Sequence, residues 1–166
     1  MNPLIQEALE ITKELGAVTF IGAIAIYLHT NTGRRSQDLD FAVTPEIPRD
    51  TMIDKRYKIV NDKWYSPRGY RIDIYTRDIG EIPISIIIDT AREVKVDKKG
   101  SILRVANLEV MIVAKHRASR PQDIDDLRVI AKERYSDIDW RAIESLAKQP
   151  IEYQNIKTSI ETLRNT

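Results

Sequence analysis

The chain has no cysteine, which excludes disulfides and thiolate metal sites but fixes no compartment. Histidine is nearly as scarce. His29 and His116 are the only two, and neither has a second histidine at ligand spacing, so each is expected to be structural or at the surface. Charge of one sign is not in excess either: 26 Lys and Arg stand against 25 Asp and Glu. Net charge therefore names no partner, and any basic surface must be a local patch. No apolar run is long enough to span a bilayer, and the opening "MNPLIQEALEITKELG" is interrupted by acids, unlike a secretory signal. A soluble cytoplasmic protein with no membrane partner is expected. P-loop, dinucleotide fingerprint, nucleophile elbow, internal repeat and low-complexity segment are all missing. What remains is a chain of 166 residues that is 42% apolar, enough for one well-packed domain.

Periodicity divides the chain into a mixed first part and a helical last part. Residues 3–15 carry Leu4, Ile5, Leu9, Ile11 and Leu15 on one helical face, with Gly16 as a stop. "AVTFI" reads as a buried strand, residues 23–29 as a helix entering the core, and "DLDFAV" as a second strand. "YKIV" and "WYS" flank Asn61-Asp62-Lys63 as a hairpin, and "YRIDIYT" alternates Ile72 and Ile74 against Arg71, Asp73 and Tyr75. "ISIII" fits a strand or one buried helix equally well. "REVKV" and "SILRV" around "DKKG" make another hairpin. From Asn107 onward four helices follow, the first capped by Asn107, the second opened by Pro121 and the last two separated by Pro150. Residues 1–106 are thus expected to form an α/β core, and residues 107–166 a C-terminal helical region packed on its cleft.

Within this pattern "RRSQDLDFAV" is an anomaly. Asp38 and Asp40 stand one residue apart, so strand alternation sends both to one face, where like charges repel and burial adds to the cost. Asp73, also mid-strand and flanked by isoleucines, is a third candidate. If the two strands are neighbours, three carboxylates converge at one edge of a sheet. Hard divalent cations favour such oxygen ligands, and two Mg²⁺ ions can activate an attacking oxygen and stabilise a departing pyrophosphate. Just upstream, "FIGAIAIYLH" puts Gly22 between a strand and a helix N-terminus, where bare backbone N–H groups attract phosphate. Arg34, Arg35 and Ser36 precede the acids and could neutralise triphosphate oxygens. Tyr27, Trp64, Tyr65 and Tyr70 could stack on a base, but alternation favours packing for most of them.

Gly22-Ala23, then Arg35-Ser36-Gln37-Asp38-Leu39-Asp40, then Asp73 on a later strand, resemble the nucleotidyltransferase fold of the DNA polymerase β superfamily. "GRRSQDLDF" is most similar to AbiEii-type abortive-infection toxins and related small proteins. "LEVMIVAKHRASRPQDIDDL", residues 108–127, is similar to the family's helical segment in which a Lys, an Arg and a following Asp pair face the nucleotide. The match spans roughly residues 15 to 130.

The resemblance implies an α/β nucleotidyltransferase fold, with a mixed β-sheet flanked by helices and followed by a C-terminal helical portion. It implies transfer of a nucleoside monophosphate from an NTP to a hydroxyl acceptor on an RNA or tRNA end or on a protein. Asp38, Asp40 and Asp73 would be both the catalytic residues and the ligands of two Mg²⁺ ions, with Mn²⁺ as a substitute. Asp73 would also help deprotonate the acceptor. Gly22, Ala23, Arg35, Ser36, Lys115, Arg120, Asp123 and Asp126 would bind the nucleotide, Lys115 as a point charge on its phosphates and the two aspartates orienting Lys115 or the base. A toxin–antitoxin pairing is a further implication. Ala23 departs from the pattern, because many members carry a serine there whose hydroxyl holds the terminal phosphate; Ser36 could substitute. The alternative is a catalytically silent nucleotide-binding or protein-interaction module of the same fold. For the helical segment taken alone, a salt-bridged surface between two helices is the simpler explanation.

Overall fold

The computed structural model describes residues 2–33 and 36–166. Helix α1 (Pro3–Leu15) starts where Asn2 accepts a hydrogen bond from the Leu4 amide at 2.8 Å, with proline at the first helical position. Its buried face carries Leu4, Ile5, Ala8 and Ile11. Strand β1 (Thr19–Ile21) is buried throughout and runs directly into α2 (Gly22–Thr30), which ends on a left-handed Asn31. Strand β2 (Asp38–Ala42) and the short helix α3 (Arg49–Asp54) follow.

β3 (Lys58–Val60) and β4 (Lys63–Tyr65) form the expected hairpin. Asn61 and Asp62 both have positive φ, 51° and 62°, the signature of the two-residue turn that matches strand twist. β5 (Arg71–Tyr75) pairs with β4 on one side and β2 on the other. The ambiguous "ISIII" run is helical: α4 (Ile84–Asp89) begins after Pro83 and buries Ile87 fully. β6 (Arg92–Lys95) and β7 (Ile102–Val105) complete the strands.

The sheet order is β3-β4-β5-β2-β1-β7-β6. β2–β5 and β1–β7 are parallel and the other pairs antiparallel, so the sheet is mixed. β2 is the middle strand of seven. The acidic strand therefore lies at the centre of the sheet, not along an edge as the sequence suggested, because β1 and β5 both pair with it. Phe20 and Phe41 meet edge to face at 5.9 Å in the core beneath it.

Four helices follow: α5 (Leu108–Ala118), α6 (Pro121–Arg134), α7 (Trp140–Leu146) and α8 (Pro150–Arg164), with a 3-10 turn at 135–137. Asn107 caps α5 by accepting from the Val110 amide at 2.8 Å, and Ser119 leaves the helix in the left-handed region. α6 packs against α2, α5 and α8, which holds the helical segment against the helix that opens beside β2. Among the described residues no helix is long and apolar enough to cross a membrane.

Candidate active site

Pairing of β2 with β5 sets Asp40 directly beside Asp73 and Asp38 beside Arg71. Since alternate residues share a face, Asp38, Asp40 and Asp73 stand on one side of the sheet while Leu39, Phe41 and Ile72 are buried on the other. The three carboxylates nominated from sequence thus share one face of the sheet, with Asp40 and Asp73 direct cross-strand neighbours and Asp38 opposite Arg71. Burial, the neighbouring charge of Asp73, a hydrogen bond shared with it and the charge of Asp38 push Asp40 up to about 7, against the pull of Lys115. Among the described residues, the cation at salt-bridge distance from Asp73 is Arg71, with Nη2 at 3.5 Å.

Gly22 is the other half of this arrangement. Its φ is +68°, and a Cβ there would lie 2.1 Å from Asp40 Oδ2. Only glycine lets the helix start this close to the carboxylate.

Across from the sheet, α5 and α6 supply a second group of charges. Lys115 is buried, with Nζ 2.7 Å from Asp126 Oδ2 and 3.5 Å from Asp123 Oδ1. Arg120 donates through Nε to Asp123 Oδ2 at 2.7 Å and through its backbone amide at 3.1 Å. Burial alone would raise the Asp123 carboxyl, but the Arg120 hydrogen bonds and the Lys115 charge hold it below the usual range. Between the two walls lies a cavity of about 450 Å³ lined by Gly22, Asp40, Tyr75, Lys115, Arg120 and Asp123, among others. Asp126 sits behind Lys115, 2% exposed.

Of the expected residues, Asp38, Asp73, Ala23 and Ser36 do not line this cavity, and neither does Asp126 behind Lys115. Asp73 and Tyr75 line a neighbouring one of about 480 Å³ on the β3–β5 side. Ala23 and Ser36 line another, of about 800 Å³, with Tyr27 and Tyr70. The Ser36 hydroxyl accepts from the Asp38 amide at 3.1 Å and donates to the Asp38 carbonyl at 3.2 Å, fixing the entry to β2. Arg35 and Arg34 lie outside the described residues.

Arg117 is committed to the cavity wall. It donates to both Glu152 oxygens, at 3.0 and 2.7 Å, to the Leu146 carbonyl at 3.1 Å and to the Gly80 carbonyl. These bonds pull Glu152 down to about 2. Both histidines have structural contacts: His29 Nε2 is 2.7 Å from the Ala106 carbonyl oxygen, and His116 lies 3.4 Å from Ser159 Oγ. Tyr75 is the site residue that sequence reasoning passed over. It lines both cavities beside Asp73, and the alternation Arg71, Asp73, Tyr75 already placed it on that face.

Among the described residues no three His, Asp or Glu side chains stand gathered at metal-ligating distances. Asp73 leans toward Arg71, and Asp40 is pressed between Gly22 and Asp73. The donor set is nonetheless of the right chemistry for a hard divalent cation, being carboxylate oxygen only and in electrostatic conflict with itself.

Two crystal structures share the fold. JHP933 from Helicobacter pylori superposes with a TM-score of 0.55 at 15% identity, covering 98% of this chain and 90% of its own. A protein described as a "putative nucleotidyltransferase from H. pylori" gives 0.52 at 13% identity, covering 98% and 92%. At these identities the likeness is one of fold: an α/β nucleotidyltransferase-type architecture with a mixed sheet and flanking helices. No protein-family model and no curated protein sequence matches the chain.

Proposed function

We propose that this chain is a magnesium-dependent nucleotidyltransferase that moves a nucleoside monophosphate from an NTP to a hydroxyl acceptor. The acceptor oxygen bonds to the α-phosphorus, the bond from that phosphorus to the bridging oxygen breaks, and pyrophosphate leaves. Asp38, Asp40 and Asp73 would hold the metal, which supplies charge neutralisation on the triphosphate and activation of the attacking oxygen. Asp73 takes the acceptor proton on its carboxylate. Gly22 opens the backbone amides of α2 to phosphate. Lys115, held in place by Asp123 and Asp126, contributes a fixed positive charge to the phosphates, and Arg120 adds to it from the rim. Catalysis is then largely positioning and charge neutralisation.

The observation that carries this reading is the register of Asp40 beside Asp73 against Gly22, facing a cavity that Lys115 lines from the far wall. The acceptor is a hydroxyl on an RNA end, tRNA included, or on a protein, and an antitoxin partner follows if the AbiEii-type resemblance extends to biology. Incubating the protein with each α-labelled NTP and total RNA tests the reaction. Label should enter a macromolecule with the wild type and be lost in Asp38→Ala and Asp40→Ala; wild-type transfer by either variant would refute the assignment.

One observation favours the silent-module reading. The second helical residue is Ala23, buried and without a hydroxyl for a terminal phosphate, and Ser36 is occupied by the Asp38 backbone. Calorimetric titration with Mg²⁺ and each NTP separates the two. Binding without turnover supports the silent module, and no binding rejects both.

A further inference from the structure

The face that carries the carboxylates continues across β5 onto the β3–β4 hairpin. Strand register puts Asp38 opposite Arg71, Arg71 opposite Tyr65, and Tyr65 opposite Lys58. These four side chains form one row across four strands, about 14 Å long at ordinary strand spacing. Lys58 is exposed, and Tyr65 and Arg71 are partly so.

The charge balance singles out this region. Residues 49–71 hold seven Lys and Arg against three Asp, an excess of four in a chain whose net charge is +1. Arg68 is consumed by Glu7 at 2.7 Å and Glu14 at 2.6 Å. Arg71 is not: its one ion pair is the 3.5 Å contact with Asp73, and its Nε makes no hydrogen bond among the described residues. A lysine on the outer strand β3 alone would be explained as protection of a sheet edge. That explanation does not reach Tyr65 and Arg71, which stand on interior strands. Cation, ring and cation in line, ending at an acidic group, match the chemistry of a single strand of nucleic acid: phosphates pair with the cations and a base stacks on the ring.

We propose that Lys58, Tyr65 and Arg71 form an acceptor track on which a single-stranded polynucleotide lies, its terminal hydroxyl at the Asp38–Asp73 end. The hydroxyl's fate rests on the nucleotidyltransfer reading; the binding does not.

Fluorescence anisotropy with a short labelled single-stranded RNA, in EDTA and without NTP, tests the track. Wild-type affinity should fall with salt. Lys58→Glu should weaken binding about tenfold and reduce the salt slope by about 0.7, the contribution of one phosphate. Tyr65→Leu should weaken it about tenfold, as for one lost stacked base. Lys95→Glu, the same charge change on β6 at the opposite edge of the sheet, should leave affinity unchanged. Circular dichroism and thermal midpoints check that each variant is folded, and Lys58→Glu is at an exposed position. The track is overturned if Lys58→Glu and Tyr65→Leu bind like wild type, if Lys95→Glu weakens binding equally, or if wild type binds no RNA and labels protein instead. Asp40→Asn should bind RNA normally while losing transfer. Weakened RNA binding in the track variants of a protein that transfers nothing would keep the track and remove the reaction.

Discussion

Two groups of charge meet at one cavity, which Asp40 lines from the sheet and Lys115, Arg120 and Asp123 line from the helices. On the helical wall, Lys115 meets Asp126 at 2.7 Å and Asp123 at 3.5 Å, and Asp123 also receives Arg120 at 2.7 Å. On the sheet wall, Asp40 meets Asp73 with Asp38 on the same face, and the only cation at salt-bridge distance among the described residues is Arg71 on Asp73. The first group is balanced, and Asp123 is held below the usual carboxylate range. The second is unbalanced, and Asp40 is pushed up to about 7. Burial is common to both; what differs is the sign of the neighbours. The balanced cluster is a component of the fold, whereas the carboxylates of the sheet have, among the described residues, only Arg71 to offset them.

Breaking the balanced cluster should have the larger effect on stability. Lys115→Met strips Asp126 of its 2.7 Å partner and Asp123 of one of two cations, and should cost about 3 kcal/mol in denaturant unfolding. Gly22→Ala acts on the other wall. A Cβ meeting Asp40 Oδ2 at 2.1 Å, on a backbone at φ +68°, should cost about 2 kcal/mol and displace the carboxylate.

Relieving the unbalanced cluster should have the opposite sign. Asp40 holds its proton more tightly when folded, its value rising from 3.8 to about 7. Its contribution to stability is therefore fully present below about pH 4 and lost as pH rises through about 7. Asp40→Asn should stabilise the metal-free protein at pH 8, and the gain should vanish near pH 4. Added Mg²⁺ should raise the melting midpoint of wild type more than that of Asp40→Asn. A destabilised Asp40→Asn at pH 8 would mean that the carboxylates are not in conflict. The smallest effect belongs to a surface pair: Asp125→Ala removes an exposed partner of Arg128 and should change stability by less than about 0.5 kcal/mol.

The balanced cluster and the unbalanced one were not equally legible in sequence. "DLDFA" and "YRIDIY" state their own faces, because alternation is local, and Tyr75 could have been read the same way. Their adjacency is not local. A hairpin and a crossover separate β2 from β5, and their pairing also makes the acidic strand central. For the same reason the partner of Arg117 is not legible locally: Glu152, which takes two of its hydrogen bonds, lies 35 residues away. "ISIII" could not be resolved by pattern, since a short apolar run satisfies either period, and Pro83 starts it as a helix. Ala23 and Gly22 are sequence neighbours that line different cavities, a separation made by the turn from strand into helix.

The most direct test of the account is α-labelled NTP transfer in Mg²⁺ by wild type and Asp40→Asn side by side, with pyrophosphate measured in the same tubes. Wild type should release one pyrophosphate for each label incorporated, and the variant should fall to background while remaining folded. Equal incorporation by the two proteins would contradict it.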